Sequence, residues 1–137
     1  MVDTWRGIFP ITAFVRDALR RKMTSETEMP LSAPERTLLT ACEFWASVTS
    51  GTLADGLQPN PVVHLSLAQH AFTQLGAFQV ASKLRVALAD LSQRPTLAAT
   101  REAAAQLEDE LVRIDDRVDD LIARFALQHI DMETPRR

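Results

Sequence analysis

The sequence has few of the residue types that mark disulfide-rich or β-rich proteins. Its 137 residues include four glycines, one cysteine and no tyrosine. Few glycines and no tyrosine, beside abundant alanine and leucine, favour helices over sheets. The single cysteine, Cys42, cannot form an internal disulfide and is typical of a reducing compartment. The composition therefore predicts an all-α protein that folds without covalent cross-links.

Long apolar stretches are also missing. No run approaches the roughly 20 apolar residues that span a bilayer. In the first 23 residues the basic cluster of Arg20, Arg21 and Lys22 follows the apolar part, which is the reverse of the order in a secretory signal. We therefore expect a cytoplasmic protein.

Charge is divided unevenly along the chain. The net charge is −3, and residues 1–23 carry five basic and two acidic side chains, which leaves −6 for residues 24–137. An acidic body offers no general attraction to nucleic acid.

One folded domain with a separate N-terminal segment is predicted. Residues 1–23 form a basic amphipathic segment, 24–31 a polar linker, 32–130 a helical bundle and 131–137 a frayed tail.

Start signals predict the helices of that bundle. Ser32, followed by Pro34 and Glu35, has the pattern of a capping box and predicts a helix over about 33–50. Asn60 and Pro61 predict the start of a long helix over about 61–92, and Pro95 or Thr96 begins a last helix that extends to about 129. The two long helices are expected to form an antiparallel hairpin, with the shorter helix packed on it.

The apolar pattern of the long helices predicts self-association. The first has two apolar rows, Leu65–Leu75 and Ala77–Leu91, which is more than one partner helix covers. The last has steps of three and four from Ala104 to Phe125, typical of a coiled-coil seam. A second copy of the chain is the simplest cover for this surface, so we expect a helical homodimer.

The candidate interface residues are N-terminal aromatic and basic side chains and three positions of the last seam. They are Trp5, Phe9, Phe14, Arg16, Arg20, Arg21, Leu111, Val118 and Phe125. The N-terminal helix has three alternative docking places: its own bundle, a partner protein or second subunit, or an anionic membrane surface.

Four aspartates lie close together in the last predicted helix. Asp115, Asp116 and Asp119 have the DDxxD spacing with which prenyl-diphosphate enzymes hold magnesium, and Asp120 follows them. The helical frame turns Asp116, Asp119 and Asp120 away from the seam, and the sequence has no second aspartate-rich motif to complete such a site. These aspartates are interpreted as a solvated face.

The remaining candidates for metal binding or catalysis do not form a recognisable motif in the sequence. His64 and His70 are six positions apart, which does not place them on one helical face, and Cys42 lies on an apolar face. The sequence leaves open whether either histidine lies close to Glu43 or Cys42 in the folded protein. We assign no catalytic residue, no metal ligand and no cofactor.

The leading functional hypothesis is a non-catalytic protein–protein interaction module, such as a small adaptor, chaperone or regulator. The partner protein is unknown. One alternative is a nucleic-acid-associated regulator that uses the basic N-terminal helix, although the acidic body makes nucleic acid an unfavourable partner. Another is an enzyme whose site forms between subunits.

Pairwise replacement of Asp115, Asp116, Asp119 and Asp120 by asparagine is expected to leave fold and function intact, because solvated carboxylates contribute little to stability. Thermal melts with and without magnesium measure this. Magnesium-dependent stabilisation that is present in the parent and lost in the variants would contradict the solvated-face interpretation.

Overall fold

The computed structural model describes residues 11–23, 31–114 and 117–129, and these residues form seven helices. The helices are α1 (Ile11–Met23), α2 (Ala33–Ser50), α3 (Leu53–Leu57), α4 (Pro61–Leu75), α5 (Phe78–Gln93), α6 (Leu97–Leu111) and α7 (Val118–His129). They pack against one another with no strand in the described ranges, which confirms the predicted all-α bundle. Within those ranges no helix is both long enough and apolar enough to cross a membrane.

The predicted start of α2 is confirmed. The Ser32 hydroxyl accepts a hydrogen bond from the Glu35 backbone N–H, and the Glu35 carboxylate accepts one from the Ser32 N–H at 2.8 Å. Gly51 ends the helix with φ of +75°, where a residue with a Cβ is strained. These two ends fix the length of α2.

The helix α2 is the centre of the bundle, whereas the sequence predicts it as a helix laid across a hairpin. It packs against α1, α3, α4, α6 and α7. Leu38, Ala41 and Cys42 are completely enclosed. On one side the Phe44 and Phe72 rings meet edge to face, with centroids 5.8 Å apart.

The predicted long helix over 61–92 is wrong in one respect, because it is two helices. Gly76 has φ of +87° and ends α4, and the Ala77 N–H donates to the Phe72 carbonyl at 2.9 Å. The chain reverses there, so α4 and α5 form a helical hairpin of their own. Pro61 begins α4 as predicted, but the Asn60 side chain makes no capping hydrogen bond to the N–H groups of α4, all of which are described.

The reversal explains the two apolar rows. Leu65, Ala68 and Phe72 on α4 are buried, and so are Val80 and Leu84 on α5. The hairpin and its neighbours bury both rows apart from Leu88, which is half-buried, so these rows do not by themselves require a second copy of the chain.

The predicted last helix over 95–129 is also divided. A turn follows Leu111, Arg117 has φ of +55°, and α7 begins at Val118. The turn lets α7 pack against α1 and α2, and this burial outweighs the continuation of one straight helix. The division changes the buried face, since Ile122 is completely enclosed while the predicted seam residue Leu121 is only half-buried.

The N-terminal helix α1 packs against α2 and α7, and its Val15 and Leu19 side chains are almost completely buried. Of its three alternative docking places, this is the one on its own bundle. Residues 24–30 of the predicted linker and the predicted tail 131–137 lie outside the described residues. The division of the chain at residue 23 stays a prediction.

Replacing Leu111 by aspartate is expected to unfold the protein. The Leu111 side chain has no exposed surface, and an unpaired buried carboxylate costs several kcal/mol against a total stability of roughly 5–15 kcal/mol. Chemical denaturation followed by circular dichroism measures the loss.

Val112→Asp is the matched control, since Val112 is the next residue and 58% exposed. It is expected to change stability by less than about 1 kcal/mol. Equal effects of the two variants would mean that the phase of α6 is wrong.

Candidate functional site

An open groove of about 740 Å³ runs along α2, and residues of α1, α2, α3 and α4 line it, together with Thr52. We call it the α2 groove. Its lining extends from Thr40 to Ser50 on α2, which corresponds to about 15 Å of helix. At the groove, the neighbouring helices leave part of the central helix uncovered.

The accessible lining of the α2 groove is mostly apolar. Phe44, Leu53, Leu57 and Ala68 contribute side chains that are otherwise buried in the core, whereas Leu67 is 54% exposed. Burial of such surface by an occupant is favourable at about 25 cal/mol per Å².

Hydroxyl groups at the groove already have local partners. The Ser47 hydroxyl donates to the Glu43 carbonyl at 3.2 Å and the Thr49 hydroxyl to the Trp45 carbonyl at 3.1 Å, both within α2. The Ser50 and Thr52 hydroxyls lie 2.9 Å apart. These hydroxyl groups make the groove polar at intervals.

Two arginines of α1 line the groove and differ in their partners. Arg20 Nε donates to the Glu43 carboxylate at 2.8 Å, so an acid and a base at the groove neutralise each other. Arg16 Nε is enclosed and has no hydrogen-bond acceptor among the described residues. The Asp17 carboxylate oxygen is 3.8 Å from that nitrogen, an ion-pair distance that is too long for a hydrogen bond.

The short helix α3 borders the groove because α6 holds its start. Thr52 makes no side-chain cap for α3; instead the Leu53 N–H donates to the Glu108 carboxylate at 2.8 Å. A carboxylate at a helix N-terminus is also favoured by the helix dipole. At Gly56 a Cβ would lie 2.9 Å from the Ser47 hydroxyl oxygen, so glycine permits the close approach of α3 to α2.

Sequence reasoning missed the role of Glu108. The partners are 55 positions apart, and no local pattern connects a carboxylate on α6 with the start of α3. Threonine is itself a favoured N-cap residue, so Thr52 gives no sequence signal that another group accepts a hydrogen bond from the Leu53 N–H.

The open question about the two histidines has a partial answer. His64 and Glu43 both line the α2 groove, while His70 is exposed and Cys42 is completely buried, so the four do not converge. Among the described residues no three potential ligands are grouped in a way that would hold a metal ion.

The candidate interface residues are distributed over three settings. Trp5 and Phe9 lie outside the described residues, as does the side chain of Phe14. Arg16 and Arg20 line the α2 groove, and Arg21 is exposed.

The remaining three candidates, Leu111, Val118 and Phe125, are buried in the core of the single chain. In this position they contribute to the stability of the monomer.

The aspartate cluster is only partly described, since Asp115 and Asp116 lie outside the described residues. Asp119 is exposed, and Asp120 pairs with Arg117 at 3.0 Å. Asp109 pairs with Arg113 at 3.0 Å. Both pairs lie at the protein surface, where ion pairs contribute little.

Comparisons of this chain with protein-family models, with curated proteins and with solved structures return no match.

Cys42 is expected to be unreactive in the folded protein. Burial raises the pKa of its thiol to about 12, partly opposed by the nearby charge of Arg16. Thiol-modifying reagents attack the thiolate, so modification should follow the unfolding rate.

The same shift predicts a pH dependence of stability. The ordinary pKa is 9.0, so the unfolded chain releases the thiol proton at lower pH than the folded chain does. The free energy by which the buried, protonated thiol stabilises the fold is fully present below about pH 9. It is lost as the pH rises towards about 12. At about pH 10.5 the loss is about 2 kcal/mol, and Cys42→Ala should lack it. Equal declines in both proteins, measured by urea unfolding, would contradict the burial of the thiol.

Proposed function

We propose that the protein is a non-catalytic protein–protein interaction module, and that its α2 groove binds an amphipathic helical segment of a partner protein. The single observation that carries this proposal is the α2 groove itself, an open and mostly apolar channel along the central helix. Recognition of a helix in an apolar groove is a common mode of protein association.

The dimensions of the groove favour one face of a helix as its occupant. A helix about 10 Å across and about 15 Å long has a volume of roughly 1,200 Å³. The groove, at about 740 Å³, accommodates the inward side chains of such a segment while the outward face remains in solvent.

The packing of the lining residues into the core also supports this proposal. Phe44, Leu53 and Leu57 belong to the core, and α3 is held by the Glu108 hydrogen bond. Because the groove is already formed, ordering its residues costs little free energy when the partner binds.

The predicted homodimer is a separate matter. The apolar rows that motivate it are covered within the single chain, and so are Leu111, Val118 and Phe125. The dimer therefore stays a prediction, as does the cytoplasmic location, and neither is required for the groove to act.

A display library of random helical peptides tests the proposal. Peptides selected on the full chain are expected to be amphipathic and to bind in the α2 groove. Leu67→Glu should weaken their binding by at least about ten-fold, because it places a charge on the apolar lining.

Val86→Glu is the matched control. Val86 is an exposed aliphatic residue on a neighbouring helix, 66% exposed against 54% for Leu67, and α5 contributes no residue to the described lining. Failure to select any peptide, or equal binding to the Leu67→Glu variant and the parent, would contradict the proposal.

A further inference from the structure

Arg16 carries a charge at the α2 groove that has no hydrogen-bonded partner among the described residues. Its side chain is only 28% exposed, so much of its hydration has been lost. The Nε atom has no acceptor among the described residues, and the contact with Asp17 is 3.8 Å long. The enclosed Nε is not itself reachable, so an acceptor on a ligand would pair with the terminal N–H groups of this partly desolvated guanidinium.

Arg20 provides the contrast within the same groove. It lies one helical turn from Arg16 on α1, but Glu43 accepts its Nε hydrogen bond at 2.8 Å. The pair keeps Arg20 and Glu43 in place and leaves little net charge for a ligand. Two arginines therefore line the groove, and the net positive charge is concentrated at Arg16.

We propose that Arg16 is the specificity-determining residue of the α2 groove and that it binds a carboxylate carried by the partner helix. This inference rests on the proposed function and adds the chemistry of the partner: an apolar helical face that includes an aspartate or a glutamate. The planar guanidinium presents paired donors that match the two oxygens of a carboxylate.

The position of Arg16 strengthens such a pair. Its partial burial lowers the local dielectric constant, and an occupant that fills the apolar part of the groove excludes more water from the pair. The apolar residues and the arginine therefore act together. A peptide without apolar side chains leaves the Arg16–carboxylate pair in water, and a peptide without a carboxylate leaves Arg16 without an acceptor.

Sequences selected from the helical peptide library give the first measurement. They are expected to share one acidic position at a fixed spacing from the apolar anchors, and changing that residue to its amide should weaken binding to the parent protein about ten-fold. This measurement uses the unaltered protein and does not depend on how a variant folds.

Protein variants give the second measurement. Arg16→Gln should weaken binding by the same factor and remove most of its salt dependence, and it should bind the acidic and the amide peptide equally. Arg20→Gln should weaken binding less than about three-fold, because Arg20 is already neutralised by Glu43. Arg16→Lys, which retains the charge, should recover part of the loss.

The outcomes separate this inference from the proposed function. Selected peptides without a shared acidic residue, or undiminished binding to Arg16→Gln, overturn the role of Arg16 while the loss at Leu67→Glu still supports the groove. An equal loss at Arg20→Gln also overturns it, since the charge would not be concentrated at Arg16. If no peptide is selected at all, both the inference and the proposed function fail.

Discussion

The burial of α2 is the interaction on which the rest of the structure depends. Five of the other described helices pack against it, and Leu38, Ala41 and Cys42 have no exposed surface. Because each covering helix buries its apolar face on this one element, their positions are coupled through it. The groove arises from the same arrangement, since α1, α3 and α4 leave part of α2 between Thr40 and Ser50 uncovered.

Local chemistry predicts where the helices begin better than where they end. The Ser32–Glu35 capping box and the proline at Pro61 act through neighbouring atoms, and both starts are confirmed. The division at Gly76 is harder to foresee, because apolar residues continue at helical spacing on both sides and a glycine inside a helix costs only about 1 kcal/mol. The choice between one helix and two depends on the tertiary contacts of the hairpin, which periodicity does not contain.

The candidate site is less accessible from the sequence than the fold. Arg16 and Arg20 are recognisable as members of a basic cluster, but their different partners depend on Glu43, which lies on another helix. The start of α3 depends on Glu108, at a separation of 55 positions. Side chains from four helices become one groove only after the helices are packed, so composition and spacing cannot distinguish the paired arginine from the other.

In the proposed function, affinity and selectivity come from different parts of the α2 groove. The apolar lining supplies a free energy that any apolar helix of suitable size can gain, and so it discriminates weakly among partners. A desolvated Arg16 acts differently, because a segment without a carboxylate would bury the guanidinium still deeper without an acceptor. This desolvation cost weakens the binding of a segment without a carboxylate, whereas a carboxylate at the matching position offsets it. Arg20 is already paired with Glu43, so the proposed selectivity depends on Arg16, whose Nε has no hydrogen-bond partner among the described residues.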